Sequence, residues 1–281
     1  MFRCLHSCGA IEGRPTMDWG MANRLNRMID PRTGKIVMLA VDHGYFLGPT
    51  SGLENLGETI APLLEHADAL MLTRGALRHG VDPARRVPVM LRMSGGTSIV
   101  SNDNGASALS NESLAVSIED ALRLNASGIT ASIFVGTEHE RQTLENLTSL
   151  IDAGQRYGLP VMAVTAVGRD MVRDLRYLGL CTRIAAELGA HMVKTYYCEG
   201  FEKLIEATPV PVVIAGGRKI PEREALELAH RAIAAGAAGV DMGRNIFQSR
   251  APVAMIRAVR AIVHQGATVD DAWSLVAGEL S

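Results

Sequence analysis

A lysine at the end of an apolar run is costly to bury unless it is paired or put to use. Lys194 stands in that position, directly after His191-Met192-Val193. Desolvation there disfavours the ammonium and favours the neutral amine, the form that attacks a ketone or aldehyde. Two other roles fit the same pattern: a structural lysine paired with a buried carboxylate, or a cation that holds the anionic part of a substrate. A second group is Asp42-His43, which closes another apolar run and is followed by Gly44, a residue that lets the chain turn sharply. A carboxylate and an imidazole side by side can move protons, and the pattern does not decide which is the base. The competing reading is an aspartate that caps loop amides beside a packed histidine.

Two glycine-rich turns complete the set, Ala215-Gly216-Gly217-Arg218-Lys219 and Met242-Gly243-Arg244-Asn245. Glycine permits close backbone approach, so exposed N–H groups can cradle an anion, and Arg244 can add a charged fork to phosphate oxygens. Either turn alone is also what ordinary packing produces. Both together predict a phosphate site with Gly216, Gly217, Gly243 and Arg244 as contacts.

These groups need a frame that brings them together. From residue 36 onward, short β-branched apolar runs alternate with longer helical patterns, which predicts repeated βα units. The runs cover residues 36–42, 69–72, 87–91, 128–135, 161–164, 192–196, 212–215 and 239–242. Helical patterns lie at 140–157, 171–188, 222–235 and 253–264, several ended by a glycine suited to a C-cap (Gly158, Gly189, Gly236). Such a series predicts the α/β class and a single (β/α)₈ TIM barrel, a fold that commonly takes about 250 residues. The barrel catalytic domain is placed at residues 31–281, after an N-terminal extension over residues 1–30 that is partly mobile or at a subunit contact. Barrels of this kind carry their chemistry at the carboxyl ends of the strands. Asp42, His43, Arg92, Thr165, Lys194 and both glycine turns all fall there. Arg92 fits a substrate contact or an interior ion pair equally well, and of Tyr196 and Tyr197 one could donate a proton or both could simply pack. Residues 94–111, rich in Gly, Ser and Asn, read as a long loop and candidate lid before a helix near 118–124.

Composition narrows the function classes. A formal charge of −2, with both signs spread along the chain, gives no electrostatic reason to expect nucleic acid or an anionic membrane as partner. Any bound anion must be held locally. With only 4% aromatic residues, the core must be built from Ala, Val, Ile, Leu and Met. Cys4, Cys8, Cys181 and Cys198 lack paired ligand spacing and read as reduced thiols of a cytoplasmic protein, the first two in an N-terminal tail expected to be mobile. No run approaches the roughly 18 apolar residues of a membrane span, and the amino-terminal segment lacks the apolar core of a signal peptide. His66, His79, His139, His230 and His264 share no ligand spacing and read as surface residues, so no metal site is expected. Ser94-Gly95-Gly96-Thr97 does not form the strand-to-helix dinucleotide fingerprint, and no bound cofactor is expected.

Several longer strings carry a family resemblance. "MLAVDHGYFLGPTSGLE", "MVKTYY", "VIAGGRKIPEREALE" and "GVDMGRNIFQS" resemble the class I aldolase family of the archaeal-type fructose-bisphosphate aldolases, over about residues 17–266. "MDWGM", "DHGYF", "MAVTAVGRDMVRD" and "KTYY" are similar to its thiolase branch, which handles the phosphorylated breakdown product of autoinducer-2. The resemblance implies a carbonyl-handling, Schiff-base role for Lys194, catalytic roles for Asp42 and His43, and phosphate contacts at Gly216, Gly217, Gly243 and Arg244. The sugar-phosphate aldolases place a tyrosine proton donor just after the fifth strand, where this chain has Ala166. That departure argues for the thiolase branch: acetyl transfer from 3-hydroxy-5-phosphonooxypentane-2,4-dione to coenzyme A as co-substrate, leaving dihydroxyacetone phosphate and acetyl-CoA. The alternative is a Schiff-base aldolase acting on another ketose phosphate such as fructose 1,6-bisphosphate. The resemblance also implies a large ring-shaped homo-oligomer.

Overall fold

The computed structural model describes residues 17–96, 111–166 and 172–280. Its strands are β1 (Ile36–Ala40), β2 (Ala69–Thr73), β3 (Val89–Arg92), β4 (Ser94–Gly95), β5 (Ser113–Leu114), β6 (Gly128–Ile133), β7 (Val161–Thr165), β8 (Met192–Thr195), β9 (Val212–Ala215) and β10 (Gly239–Met242). The α-helices are α1 (Trp19–Met28), α2 (Gly44–Leu47), α3 (Leu56–Ile60), α4 (Arg74–Gly80), α5 (Ile118–Arg123), α6 (Glu140–Tyr157), α7 (Leu175–Glu187), α8 (Phe201–Ala207), α9 (Glu222–Ala234), α10 (Arg244–Phe247), α11 (Pro252–Gln265) and α12 (Val269–Leu280). Eight parallel strands close into a barrel in the order β1-β10-β9-β8-β7-β6-β3-β2. Each expected apolar run holds one of them.

Local chemistry sets the bounds. The run at 87–91 enters the ladder only at Val89, because Pro88 has no N–H to give; its carbonyl instead accepts from Leu70 N at 2.9 Å. The helical pattern expected from 171 starts at Leu175, where the Asp174 side chain accepts from Tyr177 N at 2.8 Å and caps the first turn; residue 171 lies outside the described residues. Helix α6 buries Thr143, Leu147, Leu150, Ile151 and Gly154, a one-sided stripe at helical spacing, and ends where Gly158 takes a left-handed conformation at φ 67°. In the long loop after β3, Ser94–Gly95 pairs antiparallel with Ser113–Leu114 and closes the loop base. The rest of the expected lid, residues 97–110, lies outside the described residues, as do Cys4 and Cys8. Cys181 and Cys198 are free thiols. Among the described residues no helix is long and apolar enough to cross a membrane.

Strand register decides what the barrel holds. Alternate residues turn inward, and the lower interior is filled by Met38, Met71, Met90, Met162 and Met192 with Ile36, Ala40, Ala69 and Val213. Unbranched methionine adapts to an irregular interior that has no aromatic rings to fill it. Met28, at the end of α1, joins this cluster, and Arg24 of α1 donates to Gly158 O at 2.9 Å. The described part of the N-terminal segment therefore packs on the barrel. Two residues beyond Met90 and Met192 on the same strands, the inward positions become Arg92 and Lys194, and β10 adds Asp241. The parity that buries Met192 delivers Lys194 to the mouth.

One expectation about histidines is corrected. His264 is not a surface residue: its ring bonds Asp68 at 2.7 Å and Thr33 at 3.0 Å, and only 7% of its side chain is exposed. Asp68 also takes Arg260 at 2.6 Å and Val37 N at 2.7 Å, so the cluster ties α11 to the start of β1. The periodicity of α11 hides this, because the histidine sits on the helix face that turns toward β1.

Candidate active site

At the carboxyl ends of the strands lies a cavity of about 230 Å³ whose walls include Asp42, His43, Arg92, Lys194, Gly216, Gly217, Gly243 and Arg244. Lys194, Asp42, His43 and the four candidate phosphate contacts thus meet in one place. A larger depression follows the outer face of α6, past Arg141, Glu145 and Asp152, and brings no buried polar group to it. Among the described residues no His, Cys, Asp or Glu cluster could hold a metal ion.

Lys194 Nζ sits 2.8 Å from Asp241 Oδ2, and the two side chains are 10% and 0% exposed. Apart from this charged contact, no donor among the described residues reaches either Asp241 carboxylate oxygen. Burial pushes the Asp241 carboxyl above its ordinary value, and Lys194 pulls the other way. A carboxylate so placed is a ready acceptor for a lysine proton. Asp241 is the site residue that sequence reasoning missed. The signal was available: it is a carboxylate within the apolar run Gly239-Val240-Asp241-Met242, in the inward parity.

The opposite pair is bound more completely. Arg92 Nε and Nη2 reach Asp42 Oδ2 at 3.0 and 2.9 Å, and Nη1 donates to Ser132 Oγ at 2.8 Å. Burial alone would raise the Asp42 carboxyl, but the guanidinium and the Lys194 charge outweigh it and hold the group below its usual range. The network extends outward: Tyr45 lies 5.2 Å from Arg92 across its ring and donates to Glu112 Oε1 at 2.8 Å, and Glu112 also accepts from Ser94 Oγ. Arg92 therefore takes the interior ion-pair role of its two expected ones, at the cavity wall. Glu112 and Ser132 were not visible as partners because their contacts join segments far apart in the sequence, Ser132 on β6 to Arg92 on β3 and Glu112 to Tyr45 and Ser94.

His43 is buried between the Phe46 and Phe247 rings, at centroid distances of 5.5 and 5.4 Å. Burial pushes its pKa down to about 4; Asp42 opposes the shift, and Lys194, Arg244 and Arg92 add to it. The ring is neutral at neutral pH. Gly243 is obligatory beside it, since a Cβ there would lie 2.4 Å from His43 Cε1 and 2.3 Å from Ala40 O.

The glycine turns are clamped together. Arg244 Nη2 donates to Gly217 O at 2.9 Å, and its buried Nε has no partner among the described residues. Asn245, fully buried, donates to Gly216 O at 2.7 Å and accepts from Ile220 N at 2.9 Å, which fixes the turn after β9 against α10. Gly217 adopts φ 68°, a left-handed conformation. The layout is that of the phosphate sites common at the last two turns of such barrels, with a short extra helix beside them. Ala166 lines the cavity and brings no hydroxyl; residues 167–171 lie outside the described residues. Of the two tyrosines, Tyr196 faces the cavity under the Arg173 guanidinium at 3.7 Å, whereas Tyr197 packs on Phe201 and Arg231.

Residues 36–249 match the DeoC/LacD family aldolase model. Over 276 residues, 98% of this chain and 91% of the other, the chain is 56% identical to the 3-hydroxy-5-phosphonooxypentane-2,4-dione thiolase of Escherichia coli K12. It is equally similar, at 56% over 98% of this chain and 93% of the other, to an uncharacterized aldolase of Pasteurella multocida. Among solved structures, an archaeal fructose 1,6-bisphosphate aldolase is 26% identical with a TM-score of 0.76, covering 88% of this chain and 100% of its own. A second archaeal fructose-1,6-bisphosphate aldolase structure, 26% identical with a TM-score of 0.73 over 87% of this chain and 99% of its own, has its catalytic Lys covalently bound to the carbinolamine intermediate of the substrate.

Proposed function

Because this chain belongs to the DeoC/LacD family of aldolases, we propose that it is an acyl-transferring enzyme of that family, moving acetyl from 3-hydroxy-5-phosphonooxypentane-2,4-dione to coenzyme A. The observation that carries the reading is 56% identity to the thiolase along almost the whole chain. The cavity supports it. Its volume suits a five-carbon phosphate, and Ala166 leaves out the hydroxyl that aldol cleavage of a sugar phosphate would use. The same reading carries a cytoplasmic setting, a role in autoinducer-2 breakdown and assembly into a homo-oligomer, as the resemblance implies.

The residues divide the work as follows. Gly216, Gly217, Gly243 and Arg244 hold the phosphate at the ends of β9 and β10, with the unmet Arg244 Nε as one of the donors. The C4 carbonyl, next to the phosphate-bearing carbon, then faces Lys194 on β8. Asp241 accepts the lysine proton, the amine adds to C4, and loss of water gives an iminium that serves as electron sink. The coenzyme A thiol adds to C2 and gives up its proton; the C2–C3 bond breaks, its electron pair passes into the C4 iminium, and acetyl leaves as the thioester. Protonation at C3 and hydrolysis from Lys194 free dihydroxyacetone phosphate. Asp42, fixed by Arg92, and the neutral His43 orient the dione oxygens.

The test is incubation of the protein with the phosphorylated dione, with and without coenzyme A, followed by mass spectrometry of the thiol fraction. Acetyl-CoA is expected only in the presence of both substrates. Consumption of the dione at the same rate without the thiol overturns acyl transfer. Borohydride added without coenzyme A is expected to fix the dione to Lys194, and an unchanged protein mass overturns the covalent step.

A further inference from the structure

The catalytic cavity, at about 230 Å³, has no space for a thiol that carries a nucleotide. A groove of about 630 Å³ opens beside it and shares Asp42, Tyr45 and Arg92 as a common wall. That volume falls within the roughly 300–1,000 Å³ of ligand sites. The groove runs over the ends of β1, β2 and β3, with Leu53, Leu56, Ala76 and Val116 among its apolar lining and Arg74 at the start of α4. On the barrel circuit β2 is four strands from β8 in either direction, so the groove lies across the mouth from the lysine strand. A dione held by its phosphate at β9 and β10 extends its acetyl end toward this side.

A basic cluster flanks the groove. Arg74 lines it, and Arg78 and Arg123, beyond the lining, share the Asp120 carboxylate with it, at 3.0 Å for Arg74, 2.8 Å for Arg78 and 3.8 Å for Arg123. Even with Glu119 on the same helix counted, the arginines outnumber the carboxylates. Of the two acids that line the groove, Asp42 is paired with Arg92 and Glu54 accepts from Gly52 N at 2.7 Å. Arg74 and Arg78 are each close to half exposed, which leaves guanidinium donors for oxyanions.

We propose that this groove seats coenzyme A: Arg74 and Arg78 hold its phosphates, and the apolar floor leads the pantetheine arm past Tyr45 to the cavity. The proposal rests on the acyl-transfer reading above. An apolar track with an arginine cluster at one end and the reacting carbonyl at the other fits a ligand whose thiol and phosphates lie at opposite ends.

The test compares wild type, the double variant Arg74→Ala/Arg78→Ala, and Ala76→Trp, which narrows the track without changing charge. KM is measured for coenzyme A, for pantetheine, which lacks the phosphates, and for the dione; calorimetric titration of coenzyme A without dione gives binding directly. The double variant is expected to raise KM and Kd for coenzyme A at least about tenfold, as loss of charge-assisted hydrogen bonds requires. Its KM for pantetheine and for the dione should stay within about twofold, whereas Ala76→Trp should weaken both thiols. Coenzyme A constants that remain within twofold in both variants overturn the groove. If wild type makes no acetyl-CoA, the acyl-transfer reading fails by itself, and the calorimetric comparison still decides the groove.

Discussion

Arg92–Asp42 and Lys194–Asp241 are both buried ion pairs at one cavity, and each bridges a single intervening strand, β2 for the first and β9 for the second. Their completion differs. The first is a satisfied network in which the guanidinium bonds Asp42 and Ser132. In the second, the ammonium is the carboxylate's one partner among the described residues. A buried charge braced by several bonds is held in one state, whereas a pair that rests on a single contact can change state when a substrate arrives. One side of the mouth is built to hold shape and the other to react.

The sharpest way to break this comparison is to neutralise each aspartate in turn. Asp42→Asn leaves the Arg92 guanidinium buried without its counter-charge, which should cost about 3–5 kcal/mol of stability in urea unfolding at neutral pH. The pH response carries the same sign. The Asp42 carboxyl is depressed in the folded state, so its contribution is present above the ordinary carboxylate range and lost as pH falls through the depressed value. The variant should show a flatter acid limb than wild type. A loss under about 1 kcal/mol would place the two pairs in the same class.

Asp241→Asn should do the reverse. Its carboxyl is raised by burial, so whatever stability it contributes is full below the ordinary carboxylate value and lost as pH rises through the raised one. At neutral pH the amide should cost less than Asp42→Asn does, because Lys194, unlike Arg92, can shed its charge when its partner is lost, while kcat falls about 10²-fold because the lysine loses its proton acceptor. Borohydride trapping at Lys194 should slow at pH 7 and recover as hydroxide takes over deprotonation. A large stability loss with unchanged trapping would make the second pair structural as well.

The difference between the pairs was only half legible in the sequence. Apolar runs and glycine ends place the eight strands, and Lys194, Asp42 and Arg92 stand out as charges at strand ends. Asp241 does not, because it lies inside its run and only the register Met38↔Asp241 turns it inward beneath the lysine. Glu112 was hidden for another reason: its partners are Tyr45 of α2 and Ser94 at the opposite end of its own loop, and contacts across a loop base leave no period to read. The clamp role of Asn245 was masked by its glycine-rich neighbours, which drew the reading toward phosphate. What a strand's own alternation dictates is readable; what depends on neighbours around the barrel is not.

The smallest expected effect concerns His43, which stands beside Asp42 with its buried Nδ1 unpartnered among the described residues. Burial between two phenyl rings lowers its pKa to about 4, so the neutral ring contributes stability that is present above the unfolded value near 6.5 and lost as pH falls through about 4. The imidazole should then add less than a twofold change to kcat/KM between pH 6 and 8. Its Cε1–H resonance should keep the chemical shift of the neutral form until the pH approaches 4. His43→Gln should lower the rate without reshaping the pH profile, since a neutral hydrogen-bonding group replaces another. A midpoint near 6.5 in wild type, lost together with a limb of the rate profile in His43→Gln, would move proton traffic to the Asp42 side. The division between a holding pair and a reacting pair would then have to be redrawn around the histidine.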